Sequence, residues 1–184
     1  VTYLKRSGSD RTVALNSDVL VNIDLNQVFH LHNTTKPKVT VVYKKLPKEL
    51  ISDVNSVLEI DDSDKVLGHE LFQGGDKEAY NMSTDIFFVD TPFLIAKLEE
   101  EAAKEEPRKL RLLRDLAVAE NAFAYEYTGY LSNIHSVKAY FDANLDMLES
   151  HKFYKLFAPN QKVYTKVKNE EPTYYSDSSE VKLS

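Results

Sequence analysis

The chain has 184 residues, of which 42% are hydrophobic and 28% are charged, and its formal net charge is −6. This composition indicates a globular chain with enough apolar residues for one sizeable core. The net negative charge argues against binding to nucleic acid, whose phosphates attract clustered lysine and arginine. With no cysteine, disulfides and thiolate metal sites are excluded. No long apolar run or signal sequence is visible, so a cytoplasmic protein without membrane contact is expected.

Apolar and β-branched runs predict four strands, two of them in a hairpin, and a helix in the first part of the chain. TVAL at Thr12–Leu15 predicts a strand, and a helix is expected around Leu25–His32. The continuous run Val39–Tyr43 is typical of a buried strand in a parallel sheet. Val57–Ile60 and Lys65–His69 flank four polar residues, which predicts a hairpin.

A strand is also predicted at Ser83–Val89, followed by a helix that runs to about Lys104. Thr91 can cap this helix, and Pro92 can occupy its first position. Glu100 and Lys104 have the i,i+4 spacing of a helical ion pair. Because strands alternate with helices along this region, a mostly parallel α/β sheet is expected.

The last predicted helices and strand lie before residue 149. Pro107 is expected to break the chain between two helices, the second reaching about Ala117, and Ala122–Tyr127 predicts a strand. The segment Leu131–His135 has the length of a turn. It precedes an amphipathic helix, Ser136–Leu148, with Ser136 as N-cap. The apolar positions of that helix are Val137, Tyr140, Phe141, Leu145 and Leu148.

Several groups that could form a site have a simpler structural explanation. The basic clusters Lys36–Lys38 and Arg108–Arg114 are interpreted as solvated faces. His30 and His32 could suggest a metal, but no third ligand is visible and a helix end is favoured. Gly74-Gly75 is interpreted as a turn, since no Lys-Ser/Thr follows it as a P-loop requires. A tyrosine cluster could be a stacking platform, although strand-to-helix packing is favoured; its members are Tyr125, Tyr127, Tyr130 and Tyr140.

Four segments, taken in their order along the chain, share features with one known family. Thr12–Leu25, TVALNSDVLVNIDL, is an apolar strand that ends at Asp18, and Asn81–Val89, NMSTDIFFV, is a second strand with an internal polar triplet. Tyr127–Leu148 ends in a helix of the pattern Ala-Tyr-x-x-Ala-Asn. Together with residues 162–184, these segments resemble the bacterial glucose-1-phosphate adenylyltransferases, also called ADP-glucose pyrophosphorylases.

The resemblance implies a Rossmann-like nucleotide-diphospho-sugar transferase domain with a mostly parallel mixed sheet. Residues 1–148 would be the C-terminal portion of that domain. Residues 149–184 would be a linker and the entry into a left-handed β-helix. The family's Gly-rich nucleotide loop and Glu-Lys-Pro sugar clamp have no counterpart here, so the sequence is expected to be an internal fragment that is inactive by itself. An exposed sheet edge in such a fragment could lead to self-association.

The resemblance also assigns site positions. Asp18 falls on an aspartate that binds the catalytic Mg²⁺ in the family, and Asn133 replaces the second metal-binding aspartate, which puts Mg²⁺ binding in doubt. Ser83 keeps the serine of the family's Ser-Met-Gly-Ile-Tyr sugar strand, whereas Asp85 replaces its glycine. His135 replaces a glycine in the turn after the metal position. Each substitution opposes catalysis, although Asp18, Asn133 and His135 could also be plain turn residues.

These departures favour the non-catalytic, GlgD-type subunit of the family. The leading hypothesis is a regulatory, catalytically silent subunit that acts in glycogen biosynthesis and forms a hetero-oligomer with a catalytic subunit. One alternative is an active sugar-phosphate nucleotidyltransferase with a different metal arrangement, in which Asp18 works with Asp24 or Asp85. The other is an assembly or ligand-sensing module that binds no substrate. The sequence leaves open whether the natural protein is an enzyme.

Overall fold

The computed structural model describes residues 1–105, 111–159, 162–164 and 178. Its helices are α1 (Thr2–Ser7), α2 (Leu25–Thr35), α3 (Thr91–Ala102), α4 (Leu112–Ala119), α5 (Val137–Asp146) and α6 (Ser150–Leu156), and a 3₁₀ turn lies at Lys48–Leu50. Its strands are β1 (Arg11–Ala14), β2 (Val19–Val21), β3 (Val39–Pro47), β4 (Ser56–Ile60), β5 (Val66–Leu71), β6 (Ala79–Asp90), β7 (Phe123–Glu126) and β8 (Leu131–Asn133).

These elements form two compact units. The first unit contains residues 1–16 and 25–128, and the second contains residues 17–24 and the chain from residue 129 onward. Helix α6 lies within the stretch for which a linker is predicted. The break predicted at Pro107 and most of the predicted β-helix entry lie outside the described residues, and the division at residue 148 stays a prediction.

The first unit is built around a six-stranded mixed sheet of order β5-β4-β6-β3-β7, in which β1 also pairs with β6. Strand β6 is 12 residues long, which allows it to pair with β3 on one edge and with β1 and β4 on the other. Among the described strands only β3 and β7 run parallel; the other pairs are antiparallel. The prediction of a mostly parallel sheet is therefore wrong. The physical reason is that β4, β5 and β6 follow β3 with no α-helix between them, and strands joined without a crossover helix pair antiparallel.

The core of the first unit lies along β3 and β6. Val39, Val41 and Val42 of β3 are fully buried, as the continuous β-branched run predicts. Phe87 and Val89 of β6 are buried with them. Each such side chain contributes about 1.5–3 kcal/mol through burial. The predicted strand and the predicted hairpin are both confirmed.

The start of α3 differs by one residue from the prediction. Asp90 is the N-cap residue and Pro92 lies in the first turn. Thr91, predicted as the cap, is the first helical residue, and its hydroxyl oxygen lies 2.8 Å from that of Thr12 on β1. Thr91 therefore joins two elements instead of capping one.

The ion pair predicted between Glu100 and Lys104 is also wrong. Lys104 pairs with Glu101, and Glu100 pairs with Lys97 at 3.0 Å. Because α3 ends at Ala102, Lys104 lies beyond the helix, where i,i+4 geometry no longer holds.

The second unit contains a two-stranded antiparallel sheet in which Val19 pairs with Asn133 and Val21 with Leu131. The turn predicted over Leu131–His135 is wrong for its first three residues, because pairing with the unpredicted strand β2 extends them. The predicted cap of α5 is confirmed: the hydroxyl of Ser136 accepts a hydrogen bond of 3.1 Å from the backbone N–H of Ala139.

The apolar face predicted for α5 is solvent-exposed. Val137 is 86% exposed, and four other large apolar side chains are exposed on this helix or just after it: Tyr140, Phe141, Leu145 and Leu148. Of the tyrosine cluster, Tyr127 and Tyr130 are buried, in agreement with packing. Within the part of the chain that the structure describes, no helix is long and apolar enough to cross a membrane.

Candidate functional site

A bulge in β6 shapes the first candidate site. Val42 of β3 pairs with Ile86, whereas the next residue, Tyr43, pairs with Ser83, so residues 84 and 85 bulge out of the ladder. Asp85 has φ +53, a left-handed conformation that glycine adopts without steric cost and that aspartate tolerates. The backbone at residue 85 therefore suits a glycine, the residue that Asp85 replaces in the resemblance.

The carboxylate of Asp85 accepts hydrogen bonds from two other parts of the chain and from its own strand. Arg114 of α4 donates from Nε at 3.1 Å and from Nη2 at 2.5 Å. Asn16, just after β1, donates from Nδ2 at 3.3 Å, and the hydroxyl of Ser83 donates at 3.4 Å. Two parallel N–H groups from one guanidinium make the Arg114–Asp85 pair bidentate. We call Asn16, Ser83, Asp85 and Arg114 the Asp85 cluster.

Arg114 is a site residue that sequence reasoning missed. The basic cluster Arg108–Arg114 was expected to be a solvated face, which is wrong for Arg114 because its side chain turns inward to Asp85 and is only 25% exposed. The available signal was its place on an amphipathic helix, between Leu113 and Leu116 of α4. An arginine at such a position needs an internal partner.

His69 of β5 lies against the Asp85 cluster. Its Nε2 is 3.0 Å from the hydroxyl of Ser56 and 3.7 Å from Oδ1 of Asp85. Burial lowers the pKa of His69 to about 4; Asp85 acts in the opposite direction, and Arg114 and Arg111 add to the lowering. His69 is therefore neutral near pH 7, and the charges facing each other at the site are those of Asp85 and Arg114.

An open cavity of about 140 Å³ adjoins the cluster. Its lining residues are Ala14, Leu15, Asn16, Asp85, Phe87, Leu113 and Arg114. Polar groups from three of these residues stand beside apolar walls, so the cavity offers both kinds of contact to a small ligand group. The predicted sugar-site residues Ser83 and Asp85 thus lie together, with Asp85 lining the cavity.

The second candidate site lies in the second unit, at the ends of β2 and β8. The carbonyl of Asp18 accepts a hydrogen bond of 2.6 Å from the N–H of Ile134, the residue after Asn133. Oδ1 of Asp18 and Oδ1 of Asn133 are both buried without a hydrogen-bond partner. Unpaired buried oxygens are costly, and oxygen donors of this kind suit a hard divalent cation. Both side chains offer the kind of oxygen that binds such a cation. Only Asp18 carries a charge, however, so the two side chains supply one negative charge where two carboxylates would supply two.

His135 does not complete a metal cluster. Its side chain is exposed, and its Nδ1 lies 3.2 Å from the backbone carbonyl of Asn133. Residue 135 is not among the described residues with positive φ, so its backbone does not require the glycine that His135 replaces. Across residues 1–105 and 111–159, no three imidazole or carboxylate side chains are grouped so that they could hold a metal ion.

Of the two histidines considered for a metal, His30 is exposed and His32 is structural. His32 lies buried in the last turn of α2. Its Nδ1 is 2.8 Å from the hydroxyl of Thr40, and its Nε2 is 3.3 Å from Oδ1 of Asp90. The favoured interpretation as a helix-end residue is confirmed. Gly74 and Gly75 lie in the connection from β5 to β6 and have positive φ, which glycine adopts without steric cost.

Known proteins similar to this chain agree with the resemblance seen in its sequence. The chain is 27% identical over 182 residues to the glycogen biosynthesis protein GlgD of Bacillus subtilis, covering 99% of this chain and 43% of that protein. It is 21% identical to a glucose-1-phosphate adenylyltransferase of Clostridium acetobutylicum (99% and 48% covered) and 22% identical to one of Geobacillus stearothermophilus (98% and 47% covered). No family model matches the chain.

Two conclusions follow from these relatives. GlgD and the glucose-1-phosphate adenylyltransferases are homologues of this chain along nearly its whole length, and the resemblance is confirmed. The chain spans about half the length of these curated relatives.

Proposed function

We propose that this chain, a homologue of GlgD and the glucose-1-phosphate adenylyltransferases, is part of a regulatory and catalytically silent subunit in glycogen biosynthesis. The single observation that carries the proposal is the Asp85–Arg114 ion pair at the position of the family's sugar-site glycine. A carboxylate repels the phosphate of glucose 1-phosphate, and the guanidinium that could attract that phosphate is already paired.

The metal position supports the same proposal. In the family, ATP and glucose 1-phosphate form ADP-glucose and diphosphate, and Mg²⁺ cancels the charge that develops on the transferred phosphoryl group. Asp18 would hold the ion with a charged oxygen, and Asn133 with a neutral carbonyl. With one charge in place of two, we propose that Mg²⁺ binds weakly.

The partner we propose is a catalytic glucose-1-phosphate adenylyltransferase subunit, in a cytoplasmic hetero-oligomer. The exposed apolar face of α5 supports assembly, since contiguous apolar patches on a surface commonly mark contacts with other proteins. The name of the GlgD relative, a glycogen biosynthesis protein, supports a role for the proposed assembly in that process.

The decisive experiment measures ADP-glucose formation by the purified full-length protein with ATP, glucose 1-phosphate and Mg²⁺. No turnover above background is expected from the protein alone, whereas a catalytic adenylyltransferase assayed in parallel should be active. Robust turnover by the protein alone would overturn the proposal. Adding the protein to its catalytic partner is expected to change the partner's rate or effector response, and co-purification without any such change would overturn the regulatory role.

A second candidate, an active nucleotidyltransferase with an altered metal site, is favoured by the unpaired buried oxygens of Asp18 and Asn133. Titration calorimetry with Mg-ATP and sugar phosphates separates the two. Binding at millimolar ligand by the wild-type protein favours this candidate. A gain of binding only after the paired change Asn133→Asp and His135→Gly favours the silent subunit. If neither protein binds, the assembly module without substrate recognition becomes the better description.

A further inference from the structure

The Asp85 cluster has the geometry of an oxyanion-binding site whose ligand is part of the chain. Donors from three parts of the first unit converge on one carboxylate: the guanidinium of Arg114, the amide of Asn16 and the hydroxyl of Ser83. Nε2 of His69 lies 3.7 Å from the same carboxylate. The carboxylate itself is only 15% exposed. Such a concentration of donors around two oxygens is the arrangement by which proteins bind phosphate or carboxylate groups of ligands.

The backbone shows that the carboxylate is not needed to shape the bulge. At φ +53, residue 85 adopts a conformation that glycine accepts more readily than aspartate does. A glycine there would keep the backbone and leave the donors without their acceptor. The cavity of about 140 Å³ beside Asn16, Asp85 and Arg114 would then extend into the volume that the carboxylate fills.

We propose that Asp85 is a built-in anion that occupies an oxyanion cradle made by Arg114, Asn16 and Ser83, and thereby excludes phosphate monoesters from the cavity. The inference deepens the proposed function, since it names the contact that keeps the sugar-phosphate position closed. With Asp85 in place the pair has no net charge. Without Asp85, the cradle has one uncompensated cation, Arg114, and two further unpaired donors, the amide of Asn16 and the hydroxyl of Ser83. An external phosphate group can accept hydrogen bonds from all three.

The experiment is calorimetric titration of inorganic phosphate and, separately, of glucose 1-phosphate into the wild-type protein and its variants. Asp85→Gly is expected to bind phosphate about ten-fold tighter than wild type or more, the change that one charge-assisted contact can supply. Asp85→Asn removes the charge while keeping the side-chain shape, so a smaller gain is expected. It also serves as the second test if Asp85→Gly does not fold.

Two controls isolate the cradle from a simple change in net charge. Asp64→Gly makes the same substitution at another left-handed position, φ +59, on the exposed β4–β5 turn, and is expected to bind phosphate no better than wild type. The double variant Asp85→Gly, Arg114→Met removes the cation from the opened cradle and is expected to lose the gained affinity. If glucose 1-phosphate binds tighter than inorganic phosphate, the cavity also holds the sugar; equal affinity shows a cradle for the phosphate group alone.

The inference is overturned if the folded Asp85→Gly and Asp85→Asn proteins bind phosphate no better than wild type. It is also overturned if Asp64→Gly gains as much, or if the gain survives the loss of Arg114. These failures differ from a failure of the proposed function. If wild type shows no turnover and Asp85→Gly gains no affinity for phosphate, only the cradle is refuted. If wild type forms ADP-glucose and Asp85→Gly gains affinity for phosphate, only the silent role is refuted.

Discussion

Lowering the pH from about 7 to about 4 is expected to destabilise the chain through one buried imidazole, that of His69. The ring has no exposed side-chain surface and contacts Ser56 through Nε2. Burial, together with Arg114 and Arg111, lowers the pKa of His69 to about 4 in the folded protein, against the ordinary value of 6.5. Between these two values the unfolded chain binds a proton that the folded chain does not.

The sign and size of the effect follow from this difference. Because the unfolded state binds more protons in this window, the free energy of unfolding falls as the pH falls from about 6.5 to about 4. The gap between 6.5 and about 4 corresponds to about 3 kcal/mol, since each pKa unit is worth about 1.4 kcal/mol. Above pH 6.5 His69 contributes no further pH dependence. A loss of this size is a large part of the stability of an ordinary domain, about 5–15 kcal/mol.

Urea unfolding followed by far-ultraviolet circular dichroism at several pH values measures this effect. The control is His69→Gln, which cannot titrate and can still hydrogen-bond to Ser56. The other titrating groups are common to both proteins, so the difference between their pH profiles isolates His69. Wild type is expected to lose about 3 kcal/mol more than the variant between pH 7 and 4. Parallel profiles for the two proteins would refute the reasoning.

Three further predictions concern local structure. Ser136→Ala removes the hydroxyl that accepts from Ala139 N–H and is expected to cost about 1 kcal/mol in chemical denaturation, whereas Ser136→Thr, which keeps the acceptor, should be nearly neutral. Gly75→Ala places a Cβ 2.0 Å from the hydroxyl oxygen of Tyr80 at φ +149. It should lower the stability by about 1–3 kcal/mol, and the double change with Tyr80→Phe should recover part of that loss; no recovery would contradict the clash. Tyr130→Phe removes the hydrogen bond of 3.0 Å to Asp146 and should cost about 1 kcal/mol. Burial is the main cause that raises the pKa of Tyr130 to about 12, so Tyr130 does not ionise with the tyrosines that titrate near pH 10. In spectrophotometric titration, Tyr130→Phe should therefore leave the tyrosine absorbance change near pH 10 unchanged.

Local patterns predicted the elements whose stability depends on neighbouring residues in the chain. The β-branched run at Val39–Tyr43 became a buried strand, the polar turn before Lys65 became a hairpin, and Ser136 became a helix cap. Each depends on backbone preferences or hydrogen bonds within a few residues, so each is visible in sequence.

Pairing between segments that are distant in the chain was harder to predict from the sequence. The predicted sheet direction was wrong because β4, β5 and β6 follow β3 with no α-helix between them, so these strands pair antiparallel. The segment Leu131–Asn133 was assigned to a turn because three residues carry little periodicity, and it is extended only through pairing with β2. The positions of the apolar residues on α5 were predicted correctly, but the periodicity of these residues does not show whether another part of the protein covers them.

By itself, the sequence determined the family resemblance and the positions that depart from it, among them Asp85, Asn133 and His135. The substitution of a glycine by Asp85 was visible, and so was the repulsion that its charge brings. Only the tertiary structure decided what neutralises that charge. Arg114 lies 29 residues away in the chain, and its contact with Asp85 depends on where α4 packs against the sheet. Interactions over such separations are set by packing geometry, which no local pattern in the sequence records.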